Sequence, residues 1–487
     1  MDVFALGRRA RLFALLAGLI LSACATQREG EELEPPVIDE VPASAAPQSV
    51  LEQPATAQPE TSKEPEAEVP LAVAEAEPPV GEPPQEIVVR GELGPQEIIQ
   101  NRVAEGQRLL RNVDLQYYFD GSGKNRVLRG RPVAFALWSE TQQQWSIAQI
   151  ELPRPPVKWK PGGKPLRFRN LTPGIVATHV KGTGAERLMF SFTKNGEPLK
   201  VYGRKFPVFD NALLKRKQWS ALVETAKPIV YLPYTDDTFE PALVRAGRDF
   251  LLSTAHTAMD QLRRAEAPSV AFPGKLLADV IPVQVVTTLA VIEQTDDQDY
   301  IDEQARAFDE VLNQYGLKQG EAYRYSVSSA NALGPMQFTN RRNNGTYAMV
   351  VRRCQAANLD PDFALGATNL LNAMKAAICL LDLDLADMRE DIRTAWLANP
   401  DVLGIFPVAA YNGGARNVTK LYKVLNKIDV GLDQLARADA ASADPAVTCP
   451  CVWKTDGSGV RPVALPRYNN ENRWYIEKYQ SIVKLFE

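Results

Sequence analysis

The spacing of the apolar residues changes once along this chain, at Pro241, and that change limits what the chain can fold into. Upstream, Val133, Phe135 and Leu137 alternate with small or polar residues. Trp145, Ile147 and Gln149 continue after a polar turn, and Leu188, Phe190 and Phe192 run into Asn195-Gly196. A period of two marks half-buried strands, and Asn-Gly between two such runs is a strong hairpin signal. Downstream, Leu243, Phe250, Leu251 and Ala258 share one face of a helix running toward Arg264. The apolar stretch over 281–292 begins a second helix after Pro282, and the pattern continues through Ile301, Phe308, Val311 and Leu312 and again over 365–385. The expected class is α+β, with a small β-rich domain over residues 96–235 and a mainly α domain over 236–487.

The first 95 residues belong to neither part. Arg8, Arg9 and Arg11 precede an apolar run over 12–21, and Leu21-Ser22-Ala23-Cys24 follows, which is the layout of a signal peptide. The run is about half the ~20 apolar residues that a membrane-spanning helix needs. Small residues just before a cysteine resemble the lipobox of bacterial lipoproteins. Residues 1–23 are therefore expected to be removed and Cys24 acylated, each buried acyl methylene contributing roughly 0.8 kcal/mol to membrane anchoring. The alternative is an ordinary secretory signal cut near Ala23. Ala25 occupies the position where a lipoprotein kept in the inner membrane typically carries Asp. This resembles sorting to the periplasmic side of the outer membrane. From 24 to 95, Pro, Glu, Ala and Gln dominate with almost no aromatic residues, so the segment reads as a disordered acidic tether. As a flexible coil of roughly seventy residues it would reach roughly 45 Å, or serve as a mere spacer.

Net charge is −4, and the tether supplies much of the acidity. The folded part is near neutral or mildly basic, with no broad basic field of the kind nucleic acid requires. One basic and aromatic stretch, Lys158-Trp159-Lys160 through Arg167-Phe168-Arg169, fits a glycan or anionic-peptide contact. More simply, it is a half-buried strand with a solvated basic face.

The chemistry open to the α domain is narrow. The chain has 2 histidines, His179 in the β region and His256 within a helix, so Ser-His-Asp or Cys-His catalysis has little to work with. Cys449-Pro450-Cys451 lacks the second pair that a tetrahedral metal site needs. There is no glycine-rich phosphate loop, and neither a metal nor a cofactor is expected. Carboxylate catalysis remains. Glu293, preceded by Leu289-Ala290-Val291-Ile292, sits at the C-terminal end of an apolar helix, where desolvation and the negative helix end both raise a carboxyl pKa. Such an acid can still hold the proton that glycosidic cleavage requires. The same position also suits an exposed end-of-helix residue.

Three further motifs follow in order: the run from Ser328 to Phe338, which contains Ser328-Ser329-Ala330-Asn331-Ala332-Leu333-Gly334, then Ala410-Tyr411-Asn412-Gly413-Gly414, then Glu471-Asn472-Arg473-Trp474-Tyr475-Ile476. With Glu293 they resemble the lysozyme-like catalytic domain of the Slt-type lytic transglycosylases, and the Ser-x-Ala-Asn-Ala-x-Gly run most resembles the membrane-bound type D members. The likeness covers about two fifths of the chain, from 293 onward. It implies Glu293 as the catalytic acid and a glycan cleft lined by Ser328, Gly334, Met336 and Gln337. It also implies that Tyr411 orients the acid, that Asn412 contacts the sugar, and that Glu471, Asn472, Arg473, Tyr475 and Ile476 form the closing motif. Without the family, Gly334-Pro335 is turn chemistry that lets backbone approach a ligand. Met336, Phe338 and Tyr411 offer apolar surface to sugar faces. Gln337 and Asn412 carry the paired donors and acceptors that hydroxyl and acetamido groups demand.

The pattern departs from the family in three places. Gln294 stands where Ser usually follows the acid, and an extra helix over about 300–315 separates Glu293 from the Ser328 run. Glu321, nearer to Ser328, is therefore an alternative acid, although it follows Gly316 and Gly320 with no apolar run before it. The usual Pro-x-Thr is replaced by Thr339-Asn340-Arg341-Arg342.

The activity implied is cleavage of the β-1,4 bond between N-acetylmuramic acid and N-acetylglucosamine with formation of a 1,6-anhydro sugar, Glu293 acting first as acid and then as base. The implied partners are peptidoglycan strands, a membrane through the lipid anchor, and cell-wall machinery proteins. One alternative is a lysozyme-like hydrolase in which Asp296, Asp297 or Asp299 holds a water; these residues also suit helix capping. The other is a non-catalytic wall-binding lipoprotein. Apart from Cys24, four cysteines permit three connectivities. Cys354 and Cys379 are placed to clip two helices together, while Cys449 and Cys451 pair elsewhere or with each other.

Overall fold

Seven strands make one antiparallel sheet: β1 (Gly130–Ser139), β2 (Gln144–Pro153), β3 (Arg169–Asn170), β4 (Ile175–Lys181), β5 (Met189–Lys194), β6 (Glu197–Val208) and β7 (Lys227–Tyr231). Their order is β3-β2-β1-β6-β5-β4, and β7 pairs with β6. The computed structural model describes residues 93–154, 164–182, 188–328, 330–340, 345–437, 450–457 and 459–486. The signal peptide, Cys24, the tether up to 92, Lys158-Trp159-Lys160, Ser329, Arg341, Arg342 and Cys449 lie outside the described residues.

The β5–β6 hairpin turns at Asn195 and Gly196, with φ of 53° and 84°. Two successive residues at positive φ match the twist of the flanking strands, the reason Asn-Gly is favoured there. Strand β6 is long enough to hold β1 along one edge while its other edge pairs first with β5 and then, over residues 204–208, with β7.

The period-two reading of β1 holds, but the strand is buried on both faces. Val133, Phe135 and Leu137 enter one core with Phe190 and Phe192. Ala134 and Ala136 face the other way, against Leu110 of helix α1 (Pro95–Arg111). The small residues of the alternation are thus the floor on which a helix lies. Gly106 lets that helix come close, because a Cβ there would stand 3.0 Å from the carbonyl oxygen of Tyr202. This helix overlaps the edge of the expected tether and was not anticipated. The described part of the basic stretch has structural partners. Phe168 packs edge-on against Phe190, with ring centres 4.9 Å apart, and Arg169 and Arg129 pair with the buried Glu151 at 3.5 and 3.0 Å.

The rest of the fold is mainly helical: α2 (Pro241–Arg264), α3 (Val283–Ile292), α4 (Asp297–Asp302), α5 (Gln304–Lys318), α6 (Thr346–Arg353), α7 (Leu370–Ala386), α8 (Ile405–Tyr411) and α9 (Asn470–Ile482), with further helices between and a hairpin of β8 (Cys451–Asp456) and β9 (Gly459–Ala464). Mixed α+β is therefore the observed class. Helix α7 is apolar nearly all round and buried along most of its length, as expected of a helix at the centre of a core. Helices α2 and α5 cross at a pair of glycines. A Cβ on Gly247 would lie 1.8 Å from the Leu312 carbonyl oxygen, and one on Gly316 would lie 1.9 Å from that of Leu243. The backbones therefore touch, and no other residue fits at either position. Cys354, at the end of α6, is disulfide-bonded to Cys379 of α7 across a Cα–Cα distance of 6.1 Å, the clip expected from the sequence. Cys451 is also disulfide-bonded.

Sheet and helices keep separate hydrophobic cores within one compact unit. Several contacts join them. Leu243 of α2 lies in the sheet's core. The buried Asn313 of α5 accepts a hydrogen bond from the Glu240 N–H at 2.9 Å and donates to the Thr238 carbonyl at 3.0 Å. Tyr231 of β7 packs edge-on against Tyr325, with ring centres 5.3 Å apart.

Candidate active site

Helix α3 is capped by Pro282, and every residue from Val285 to Ile292 is buried. A helix this apolar runs through the core rather than along it, and it delivers its C-cap residue, Glu293, to the floor of a cleft of about 1050 Å³. Burial pushes the Glu293 carboxyl up to about 7, helped by the charge of Glu471 and opposed by the Tyr475 hydroxyl and the Lys478 charge. Desolvation disfavours the charged form, so the proton stays on near neutral pH.

The hydroxyl that holds the acid belongs to Tyr475 of α9, which donates to Glu293 Oε1. Burial and the neighbouring Glu293 raise the Tyr475 phenol well above its ordinary range, so it remains a donor. Tyr411, expected to orient the acid, instead donates to the Met336 carbonyl at 2.7 Å. It lines the cleft and its phenol is raised by burial and by the nearby Glu293 charge, but its hydrogen bond goes to the facing backbone rather than to the acid. One turn after Tyr475, the ammonium of Lys478, 3% exposed, pairs with Asp297 at 2.6 Å and donates to the Thr295 carbonyl at 2.7 Å. The turn that follows α3 is thereby pinned beside the acid.

Ser328, Ala330, Ala332 and Gln337 of the recognised run line the cleft, and Gln294, next to the acid, is tied to this segment. The Gln294 amide donates to the carbonyls of Gly334 at 3.2 Å and Pro335 at 2.9 Å, while its oxygen accepts from Ser326 Oγ at 2.9 Å. Gln337 donates to Ser326 Oγ at 3.1 Å and to the Gly334 carbonyl at 2.7 Å. The long stretch between Glu293 and this run, including α4 and α5, therefore loops out and returns. Gly334 is required by geometry: its φ is +79°, and a Cβ there would stand 1.9 Å from the Ala367 carbonyl oxygen.

Ser328, Gln337, Tyr411 and Asn412 line the cleft with Glu293. Ser328 Oγ accepts from the N–H groups of Ala330 at 3.2 Å and Ala332 at 3.1 Å, shaping the loop at the rim. Asn412 donates to Glu471 at 3.4 Å and accepts from Asn472 at 3.0 Å, which fixes the orientation of its amide. Met336 and Phe338 do not offer stacking surface. Both are buried, and the Phe338 ring packs edge-on against Tyr347 and Tyr411 with centres 5.5 and 6.1 Å away. They are core residues beneath the wall, as Gly334 is a backbone device within it.

Glu321 does not compete for the role of acid. Its side chain is 66% exposed and ion-paired to Arg324 at 2.7 Å, away from the cleft. The aspartates after Glu293 are likewise engaged. Asp296 caps α4 through the N–H groups of Gln298 and Asp299, Asp297 meets Lys478, and Asp299 lies 3.8 Å from Lys181 of β4. His179 sits between the Leu166 N–H and the Gly182 carbonyl, and His256 is exposed on α2. Neither lines the cleft.

Four cleft residues were not singled out for these roles from sequence. Tyr475 lay in the closing motif without an assigned role. Lys478, one helical turn later, was legible only as its neighbour on the same face. Ser326 precedes the recognised run by two positions. Asp384 of α7 lies in a largely apolar helix, whose pattern marks a core element rather than a site. No family model, curated protein or solved structure matches this chain.

Proposed function

We propose that the chain is a peptidoglycan lytic transglycosylase with a lysozyme-like helical domain, in which Glu293 serves as the single acid and base. The observation that carries this reading is the state of Glu293: a carboxyl that keeps its proton up to about 7, held on one oxygen by Tyr475, in a cleft of about 1050 Å³. That volume is just above the roughly 300–1,000 Å³ usual for small-molecule sites, and it suits an extended oligosaccharide.

Protonated Glu293 gives its proton to the glycosidic oxygen between N-acetylmuramic acid and N-acetylglucosamine, so the leaving group departs as an alcohol. The acetamido group of the substrate supports the positive centre, one of the substrate-assisted exceptions to the two-carboxylate rule. The carboxylate left behind is stabilised by the Tyr475 hydroxyl and the Lys478 charge. It takes the proton of the muramic C6 hydroxyl as O6 bonds to C1. No water is consumed, and the proton returns to Glu293. Asn412, Gln337 and Ser328 supply hydrogen-bonding groups along the glycan. Acylated Cys24 and the tether would hold the enzyme to the periplasmic side of the outer membrane within reach of the wall, where cell-wall machinery proteins would be its further partners.

Mass spectrometry of muropeptides released from purified sacculi tests the reading. Wild type should release 1,6-anhydro products and the Glu293→Gln variant none. Reducing-end products alone would establish a hydrolase, and intact glycan with saturable binding would establish a non-catalytic wall-binding protein.

A further inference from the structure

Helix α7 presents two residues to the cleft, Leu380 and Asp384, with Met349 and Thr346 of α6 also in the lining. Leu380 and Asp384 are one helical turn apart and so share a face. Asp384 Oδ2 is shielded from solvent and has no hydrogen-bond partner among the described residues. Two residues earlier, Asp382 behaves as a structural carboxylate does. It takes hydrogen bonds from Ser269 Oγ and from the N–H groups of Val270 at 2.6 Å and Ala271 at 3.4 Å. A buried acceptor left without a donor is costly to a folded protein, and its position in the lining of a cleft gives a ligand the chance to supply that donor.

We infer that Asp384 is a substrate-binding residue, its carboxyl group, which lines the cleft, accepting a hydrogen bond from the acetamido N–H of an N-acetylated sugar whose methyl group rests on Leu380 and Met349. An acceptor beside a small apolar surface is what an acetamido group needs and what a plain hydroxyl does not. The inference rests on the glycan reading of the cleft. Burial raises the Asp384 carboxyl to about 7, with Asp387 adding to the rise and Arg353 opposing it. Charged or neutral, the group offers an accepting oxygen. Its electrostatic influence extends to Tyr411, whose phenol is raised by burial first and then by Glu293 and Asp384, so both carboxyls act on the same stretch of wall.

The test is titration of the full-length Glu293→Gln protein, which cannot turn over, with a soluble N-acetylglucosamine hexamer by calorimetry. Adding Asp384→Ala should weaken binding by about tenfold or more, the worth of one hydrogen bond to a carboxyl. Asp384→Asn, which keeps an accepting oxygen, should weaken it less. The thermal midpoint of the Asp384→Ala protein should equal or exceed that of its parent, since an unpaired buried group has been removed. Unchanged binding in Asp384→Ala overturns the inference. So does a fall in thermal midpoint in both variants with affinity intact, which would mark a structural carboxylate. If the Glu293→Gln parent binds no hexamer, the glycan reading fails and this inference fails with it.

Discussion

Replacing Tyr475 by Phe removes a single oxygen atom from the site, and its effect can be worked out from the groups around Glu293. The hydroxyl stabilises the charged form of the carboxyl, against burial, which raises it to about 7. A hydrogen bond to a charged group contributes roughly 1.5–3 kcal/mol. At about 1.4 kcal/mol per pH unit, its loss should raise Glu293 by about 1–2 units. Lys478 remains in place and continues to pull the other way, so the lower end of that range is expected. The proposed reaction requires the protonated acid, so activity should be lost as pH rises through the Glu293 pKa. The alkaline limb of kcat/KM should therefore move from about 7 to about 8, while the plateau falls because the carboxyl has lost its positioning partner. Initial rates of anhydro-end formation on solubilised glycan strands, measured from about pH 5 to about pH 10, read both effects. An alkaline limb that stays in place, or moves toward acid, would refute the assignment of Tyr475 as the group that sets this acid.

Burial raises Glu477 to about 7 while one of its oxygens accepts from the Cys451 N–H. A carboxyl raised on folding adds stability below its unfolded pKa and loses it as pH rises through the folded value. Glu477→Gln should therefore melt several degrees above wild type near pH 8, with the two converging near pH 5, as followed by circular dichroism. Gly334→Ala should lower the melting temperature and abolish turnover, because neither its φ of +79° nor the Ala367 carbonyl oxygen at 1.9 Å admits a Cβ. Removing both cysteines of the Cys354–Cys379 pair, 25 residues apart, should cost about 3 kcal/mol in denaturant titrations. Asn313→Ala deletes two buried hydrogen bonds between α5 and the segment after β7 and should cost about 2–3 kcal/mol in the same assay.

The class of the fold was legible because its two periods are local: Val133, Phe135 and Leu137 announce a strand, and Leu243 through Ala258 a helix, before any tertiary contact is known. Helix α1 was not legible, since Ala134 and Ala136 look the same whether they face water or a helix. Glu293 was legible because the apolar run before it implies burial and burial implies a raised pKa. What sequence could not assign was direction. Met336 and Phe338 are apolar and adjacent to cleft residues, yet the turn at Gly334 sends both into the core. Tyr411 and Tyr475 carry the same hydroxyl, and only the crossing of α9 over the end of α3 decides which one meets the acid. Gln294 read as a departure from the pattern of the family that the sequence resembles, although its amide is the tie that brings two distant segments together.

The hydrogen bonds of Asn313 and the packing of Tyr231 on Tyr325 bear on how this protein can be cut. Tyr325 belongs to the cleft on one side and to the hydrophobic cluster of the sheet on the other. A truncation between residues 235 and 236, where the pattern of apolar residues suggests a seam, would strip that ring of its backing and leave Leu243 without the core it enters. A fragment made this way would be a poor reagent for asking what the sheet binds, because any lost activity would report a weakened cleft wall. Point substitutions on the outer surface of the sheet leave the shared wall standing and are the sounder route to that question.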